Sequence, residues 1–217
     1  MLNFSELKDT YLIAEIGINH NGDINIARRL IDAAAAIGWN CVKFQKRNPD
    51  VCVPEEQKSI PRSTPWGDMT YLDYKKRIEF EKKEYDYISN YCSTKIPRLD
   101  WSASVWDLDS LDFMLSYNIP FIKIPSAMIT DLELLKKTAM SERPVMISTG
   151  MSTLKEIDDG FKFPFEYELH FVNHFSDYKL DKTSVNVFVV MMNIDYIKIV
   201  DLDWLYNYQL LFLQSKL

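Results

Sequence analysis

The sequence predicts an α/β fold, a (β/α) TIM-type barrel that is incomplete at its C-terminus and contains about six βα units. Short apolar runs alternate with amphipathic segments, and the first two runs enclose one such segment within about 30 residues, which is a βαβ unit with parallel strands. Later runs recur about every 20–25 residues. No Gly-x-Gly-x-x-Gly follows a predicted strand, so a doubly wound dinucleotide-binding sheet is disfavoured.

The first βαβ unit has a carboxylate in an otherwise apolar strand. Residues 11–22 run from apolar side chains into Asn-His-Asn-Gly, which is typical of a turn, and Glu15 lies between apolar neighbours. Asp23 is placed to cap a helix over residues 24–37, and residues 40–45 form the second strand. A buried carboxylate costs several kcal/mol unless it is compensated. Glu15 therefore lies on a solvated edge strand or points into a site where later strands supply counter-charges.

The next segment is predicted to be a long irregular loop followed by two helical pieces. Residues 46–69 contain four prolines and a Trp-Gly pair, and a loop of this length is usually a lid or a binding loop. Residues 70–95 have helical apolar spacing with Lys/Glu pairs on the outside.

Three further βα units and a sixth strand follow. The strands are at 101–104, 120–125, 144–149 and 168–172, and the helices are at 108–117, 132–139 and 153–159. Residues 194–200 are a candidate seventh strand, with no clear helix and strand after it. Because a complete barrel typically needs about 250 residues, we divide the chain into a barrel domain, residues 1–175, and a divergent tail, residues 176–217, with a non-barrel or improvised closure.

Composition argues against several classes of function. A net charge of −6 and a pI near 5.2 disfavour nucleic-acid binding. No apolar run approaches the roughly 18 residues of a membrane helix, and the N-terminus lacks the pattern of a signal peptide. The three cysteines, Cys41, Cys52 and Cys92, are scattered, which predicts free thiols in a reducing compartment, the cytoplasm.

Polar side chains recur near the carboxyl ends of five predicted strands. Because side chains alternate between the two faces of a strand, the following residues are expected on one face: Glu15, Lys43, Gln45, Ser104, Lys123 and Ser148, with Ser126 just past a strand. In a parallel sheet such groups meet at one mouth, where the active sites of barrels lie. Lysine binds phosphate as a point charge and hydroxyls are short donors. Each residue alone is more often structural or on the surface, but the recurrence in five strands predicts an anion pocket.

The three histidines provide no clear metal site. His20 is either a turn residue or a group that bonds substrate at the mouth. His170 and His174 are four residues apart, which suits a metal on a helix, but their segment is predicted to be strand or loop. We therefore assign no metal ligand.

Six motifs occur in order along residues 11 to about 159. They are Ala-Glu-Ile-Gly-Ile-Asn-His-Asn-Gly (14–22), Val-Lys-Phe-Gln-Lys (42–46), Trp-Gly through Glu-Phe (66–80), Ser-Val-Trp-Asp (104–107), Phe-Ile-Lys-Ile-Pro-Ser (121–126) and Ile-Ser-Thr-Gly-Met (147–151). With this order and spacing the chain resembles the sialic acid synthase (N-acetylneuraminate synthase) family. Members of that family condense phosphoenolpyruvate with N-acetylmannosamine or a related amino sugar, giving a sialic acid-type nonulosonate and phosphate.

The resemblance implies a fold, site residues and a cofactor. The family fold is a (β/α) barrel followed by a small domain similar to antifreeze proteins. The residues implied as catalytic are Glu15, Lys43 and Lys123, and those implied in substrate binding are Gln45, Ser104, Ser126, Ser148 and Asn173. The lysines and serines would hold the phosphate and carboxylate of phosphoenolpyruvate, with Glu15 beside the reacting carbons. The resemblance also implies a divalent metal, Mn²⁺ or Mg²⁺, that polarises the sugar aldehyde, and we expect a homodimer.

The chain also departs from the family pattern. Around the sixth strand it keeps His170 and Asn173 but loses the Cys, Tyr and Pro of the family motif, and Met128 stands where many members have an acidic residue. The Gly-Tyr-Ser-x-His and Glu-Arg/Lys-His motifs that supply metal ligands, and the antifreeze-like domain, are not found. We therefore expect a truncated or frame-shifted synthase with little activity of its own. The alternatives are a non-catalytic remnant or regulator that binds phosphoenolpyruvate or phosphate, and a Schiff-base aldolase that uses Lys43 or Lys123.

Overall fold

The computed structural model describes residues 11–160, 169–172 and 190–193. The elements in chain order are β1 (Leu12–Gly17), α1 (Ile24–Ala36), β2 (Cys41–Lys46), α2 (Pro49–Cys52), α3 (Glu55–Lys58), β3 (Pro61–Thr64), β4 (Gly67–Thr70), α4 (Tyr71–Ile78), α5 (Lys82–Ser93), β5 (Asp100–Val105), α6 (Leu108–Leu115), β6 (Ile122–Ile124), α7 (Leu132–Ala139), β7 (Val145–Ser148), α8 (Leu154–Gly160), β8 (Leu169–Val172) and β9 (Val190–Asn193). A 3₁₀ turn, Ser126–Met128, follows β6.

Seven of the strands form one parallel sheet in the order β8-β7-β6-β5-β2-β1-β9. Chain-order neighbours pair from β1 outwards, and helices connect the strands from β1 to β8. This is the architecture of a partial (β/α) barrel, so the predicted fold class is confirmed. β9 pairs with the free side of β1, where the last strand of a barrel would lie. Within the described residues, no helix is long and apolar enough to cross a membrane.

Acidic and hydroxyl side chains begin several helices by capping free amides. Asp23 accepts a hydrogen bond from the Asn25 amide at 2.7 Å, and Asp107 accepts one from Ser110 at 2.7 Å. Asp131 caps α7 and Thr70 caps α4 in the same way. The predicted helix starts after Asp23, Asp107 and Asp131 are therefore confirmed.

The segment predicted to be a structureless loop is ordered. Within residues 46–69 lie α2, α3, β3 and most of β4, and β3 pairs with β4 as an antiparallel hairpin. Asn48 caps α2 with Pro49 in the first turn, a position that suits proline. The hairpin turns at Gly67, whose φ of +103° lies in the region that favours glycine. Prolines thus lie at the starts of short helices and strands in this segment, whereas their number had predicted an irregular loop.

A seventh strand joins the sheet just before the segment in which one was predicted. It spans Val190–Asn193, whereas the predicted segment, residues 194–200, lies outside the described residues. The segment that pairs with β1 is Val-Met-Met-Asn, with Leu12 opposite Val190 and Glu15 opposite Asn193.

The apolar core lies between the sheet and its covering helices. Phe44, Tyr85 and Ile122 are fully buried there, and Trp101 packs with them. The opposite face of the sheet carries the polar residues. Burial of the helix-facing side therefore fixes the register that brings the polar side chains to one mouth.

Candidate functional site

The parallel pairing brings the predicted polar residues side by side. Glu15 lies opposite Lys43, Gln45 lies opposite Ser104, and Ser104 lies opposite Lys123. Because β1 has β2 on one side and β9 on the other, Glu15 is not on an edge strand. That interpretation is wrong. The predicted counter-charge is found, because Lys43 of β2 forms an ion pair with Glu15, and a role of Glu15 in a site stays a prediction.

One corner of the site, the Lys43 corner, consists of Glu15, Lys43 and Ser104. Lys43 is 3% exposed, forms an ion pair with Glu15 and donates a hydrogen bond to Ser104 Oγ at 2.7 Å. The side chain of Glu15 is 26% exposed, so its carboxylate lies at the edge of the solvent-accessible mouth. Gly17 follows with a φ of +54°, and a Cβ there would lie 3.3 Å from Glu15 Oε1. A larger residue at this position would therefore be strained and would crowd the carboxylate.

The other corner, the Lys123 corner, consists of Lys123, Ser148 and the Ile124 carbonyl. Lys123 is 2% exposed and donates to Ser148 Oγ at 2.7 Å and to the Ile124 carbonyl at 2.8 Å. Burial lowers the pKa of Lys123 well below its ordinary value, and the positive charge of Lys43 lowers it further, while Glu15 acts in the opposite direction. Two lysines with hydroxyl partners thus converge on one buried location.

The remaining predicted residues lie at different distances along the sheet from these two corners, and one of them lies outside the described residues. Gln45 is half-buried beside Ser104 in the β2–β5 ladder. Ser126 is half-buried just after β6, and a Cβ on Gly150 would be 3.7 Å from its Oγ, so it faces the end of β7. Asn173 lies outside the described residues. Ser102, on the same face as Ser104, donates to the Phe121 carbonyl at 2.8 Å and has a structural role.

His20 is a structural turn residue. It is 1% exposed, its ring stacks on Phe80 with centroids 3.7 Å apart, and its Nδ1 accepts a hydrogen bond from the Gly22 amide at 3.1 Å. Burial lowers the pKa of His20 to about 4. These contacts occupy one ring nitrogen and one ring face of a side chain that is almost fully buried, which favours the turn interpretation of His20 over that of a substrate-bonding group. The side chain of His170 and all of His174 lie outside the described residues.

Sequence reasoning missed a buried charged pair beside the site. The Arg47 amide and Nε donate to the Glu79 carboxylate at 2.9 and 3.3 Å, and burial raises the pKa of Glu79. Within residues 11–160, Arg47 Nη2 and Trp106 Nε1 are buried without a hydrogen-bond partner. Arg47 follows the motif that ends at Lys46, and Glu79 is in the motif that ends at Phe80. The contact between the two residues depends on the packing of the end of α4 against the end of β2, which the sequence does not show.

Comparisons with known proteins agree with this geometry. A profile described as the NeuB family matches residues 30–195. N-acetylneuraminate-9-phosphate synthase of Drosophila melanogaster is 38% identical over 152 residues, 68% of this chain and 40% of the fly protein. N,N'-diacetyllegionaminic acid synthase of Campylobacter jejuni is 34% identical over 155 residues, 70% of this chain and 46% of that protein. The chain thus spans less than half the length of these two relatives.

A solved structure shows the same relationship. The N-acetylneuraminic acid synthetase of Leptospira borgpetersenii, crystallised with citrate, superposes with a TM-score of 0.66 at 26% identity. The superposition covers 81% of this chain and 57% of that structure. By its profile, its sequence relatives and its fold, this chain belongs to the NeuB family.

Proposed function

We propose that the protein acts as a phosphoenolpyruvate-dependent synthase, which condenses phosphoenolpyruvate with N-acetylmannosamine or a related amino sugar to give a nonulosonate and phosphate. The observation that carries the proposal is that Lys43 of β2 and Lys123 of β6, the strands on either side of β5, each donate a hydrogen bond to a serine hydroxyl on the polar face of the parallel sheet. This arrangement suits a small, highly charged anion. The two similar synthases are named for different nonulosonates. The proposal therefore names the class of amino sugar and not one particular sugar.

In this proposal the two corners bind the two acidic groups of phosphoenolpyruvate. Lys43 and Lys123 donate charge-assisted hydrogen bonds, and Ser104, Ser126 and Ser148 add hydroxyl donors. The binding of citrate by the Leptospira relative supports an anion site in this fold. Catalysis then depends on holding the enol phosphate so that its third carbon faces the sugar aldehyde.

The chemistry forms one carbon–carbon bond and exchanges one carbon–oxygen bond for another. The third carbon of the enol phosphate attacks the aldehyde carbon, water adds to the cationic second carbon, and the bond from that carbon to the phosphate oxygen breaks. One proton of the water ends on the former aldehyde oxygen and the other leaves with the phosphate, so that the second carbon becomes a ketone. In this proposal Glu15 contacts the reacting carbons and stabilises the developing positive charge, and its partial exposure at the edge of the site supports that role. Gln45 and Asn173 are the further residues proposed to border the substrates.

A divalent metal, Mn²⁺ or Mg²⁺, is implied by the family resemblance and would polarise the aldehyde. Among residues 11–160 and the two described strands after them, no three His, Cys, Asp or Glu side chains converge on a common point. The described residues therefore do not fit a metal site, and none of the steps above uses one. The proposal expects a homodimer, because open sheet edges favour association, and a cytoplasmic location, in keeping with three free thiols.

Binding and turnover test the proposal separately. We expect calorimetry to show phosphoenolpyruvate binding by the wild type and a loss of at least about tenfold in Lys43→Met and in Lys123→Met, since a hydrogen bond to a charged group contributes about 1.5–3 kcal/mol. Lys137→Met removes an exposed ion pair with Asp112 and serves as the matched control, with unchanged affinity. Equal affinity in all four proteins would contradict the site.

Phosphate release from phosphoenolpyruvate with N-acetylmannosamine and Mn²⁺ measures the synthase reaction. Release that requires the sugar supports the synthase, and a parallel assay with the sugar 6-phosphate identifies the preferred acceptor. Binding without release in either assay would assign the chain as a non-catalytic remnant. Light scattering checks the expected dimer.

A second candidate function is that of a Schiff-base aldolase. The lowered pKa of Lys123 favours it, because an uncharged lysine amine can attack a carbonyl. Borohydride would then trap a covalent adduct of the protein with a carbonyl substrate. A synthase forms no such adduct.

A further inference from the structure

The two lysines of the site differ in how their charge is compensated. Lys43 is paired with the Glu15 carboxylate, whereas Lys123 Nζ has neutral oxygens as partners, Ser148 Oγ and the Ile124 carbonyl. Lys123 is 2% exposed, so water does little to solvate its charge. A buried ammonium without a counter-ion is costly, and such a group commonly gives up its proton.

The hydrogen bonds of Lys123 match an uncharged amine. A neutral amine has two N–H donors and a lone pair, whereas an ammonium has three donors. Within the described part of the chain Lys123 Nζ has two acceptors, at 2.7 and 2.8 Å. Among the described residues, the third N–H of an ammonium would therefore have no acceptor, and a bound anion could supply one.

The charged groups that act on Lys123 come from two other strands. Lys43 of β2 repels a positive charge on Lys123, and Glu15 of β1 attracts it. Glu15 is already the ion-pair partner of Lys43. The strands hydrogen-bonded to β6 on either side present the neutral hydroxyls of Ser104 and Ser148. Burial and Lys43 together lower the pKa of Lys123 well below its ordinary value despite Glu15.

We infer that Lys123 is an uncharged amine in the empty site and takes up one proton when a dianion binds. The proton comes from the solvent, the Nζ lone pair forms the new N–H bond, and the bound anion supplies the missing third acceptor. This inference rests on the proposed function, because it requires that an anion binds between the two lysines. It adds a criterion for selection: an uncharged ligand supplies no negative charge and should therefore bind without protonation of Lys123.

Calorimetric titration with sulfate measures the proton directly, because sulfate is a dianion that does not titrate near neutral pH. The binding heat is measured in two buffers that differ in their heat of ionisation. We expect uptake of about one proton per sulfate bound. Phosphoenolpyruvate at about pH 8, where a phosphoryl group carries both of its charges, is expected to give the same uptake.

Two arginine variants form a matched pair. Lys123→Arg keeps a cation that cannot give up its proton, so its anion binding should show no uptake. Lys43→Arg keeps a positive charge beside Glu15, so anion binding by this variant should still be accompanied by proton uptake at Lys123. Sulfate or phosphoenolpyruvate binding by the wild type without proton uptake would overturn the inference and leave the proposed function intact. A wild type that binds neither anion overturns both.

A pH series on the wild type covers the case in which Lys123→Arg does not fold. The affinity for sulfate should fall about tenfold for each pH unit above the pKa of Lys123 in the empty site. An affinity that stays constant from neutral pH up to the ordinary lysine pKa, about 10.4, would contradict the inference.

Discussion

The Lys43 corner and the Lys123 corner contain the same pair of residue types, a lysine and a serine, on the polar face of one sheet. In the Lys43 corner Glu15 neutralises the lysine at its own register position on the neighbouring strand. In the Lys123 corner the partners are the Ser148 hydroxyl of the neighbouring strand β7 and the Ile124 carbonyl of β6 itself. The comparison teaches that the charge state of a buried lysine depends on what the adjacent strand presents, because Coulomb attraction and desolvation act over a few ångströms in the interior.

The difference in partners, a carboxylate for Lys43 and neutral oxygens for Lys123, leads us to expect a different role for each lysine. The Lys43 corner is a preformed charge pair that positions Glu15 at the mouth. In the inference above, the Lys123 corner binds a ligand that supplies the negative charge its neutral partners lack. A site with two permanently charged lysines and one carboxylate would be less stable when empty, since an uncompensated buried charge costs several kcal/mol.

Substitution of each lysine by methionine should separate the corners most strongly. Lys43→Met leaves Glu15 without its partner, and we expect the free energy of unfolding to fall by about 3 kcal/mol, the lower end for a broken buried pair because Glu15 is partly exposed. Lys123→Met should change the free energy of unfolding by less than about 1 kcal/mol. The variant loses the hydrogen bonds to Ser148 and Ile124, but it no longer has to bury a polar amine, and the two effects offset one another. Urea unfolding of the ligand-free proteins measures both.

Lys137→Met, which removes an exposed pair, controls for the loss of a lysine and should cost under about 1 kcal/mol. Equal losses in Lys43→Met and Lys123→Met would mean that the two corners are alike.

The pH dependence of stability sharpens the comparison. Lys123 has a lowered pKa in the folded protein, so between that pKa and about 10.4 the unfolded chain binds one proton that the folded chain does not. The free energy of unfolding of the wild type, relative to Lys123→Met, should therefore rise with pH in this window, by up to about 1.4 kcal/mol per pH unit. A flat difference between the two proteins across the window would refute the lowered pKa.

The alternation and capping rules predicted much of this site from sequence. Helix starts after Asp23, Asp107 and Asp131 follow from local amide capping, and the shared face of Glu15 and Lys43 follows from strand alternation. These features depend on residues close together in the chain or on a two-residue period, which a sequence displays directly.

Other features depend on contacts that a sequence does not display. Strand alternation places Ser102 on the same face as Ser104. Only the structure shows that the Ser102 hydroxyl donates its hydrogen bond to the Phe121 carbonyl. The pairing of Arg47 with Glu79 joins residues 32 positions apart. Likewise, the choice of Lys43 as the partner of Glu15 depends on the β1–β2 register.

Removal of each serine hydroxyl should give the smallest differences. Ser148→Ala takes away one of two acceptors of Lys123, and we expect a loss of about 1 kcal/mol in the free energy of unfolding. Ser104→Ala leaves Lys43 its ion pair with Glu15 and should cost less. The two variants control for one another in urea unfolding, and a larger loss in Ser104→Ala would reverse the assignment of the corners.

The measurement that tests the central claim most directly is an NMR titration of the lysine ε-carbons in the ligand-free protein, with ¹³C-labelled lysine. Lys123→Arg identifies the signal of Lys123 by its disappearance. We predict that this signal titrates well below the ordinary lysine value of about 10.4 and moves back towards it when phosphoenolpyruvate is added. If the Lys123 signal titrates at the ordinary value in the ligand-free protein, the two corners carry equal charge and the account of the site is wrong.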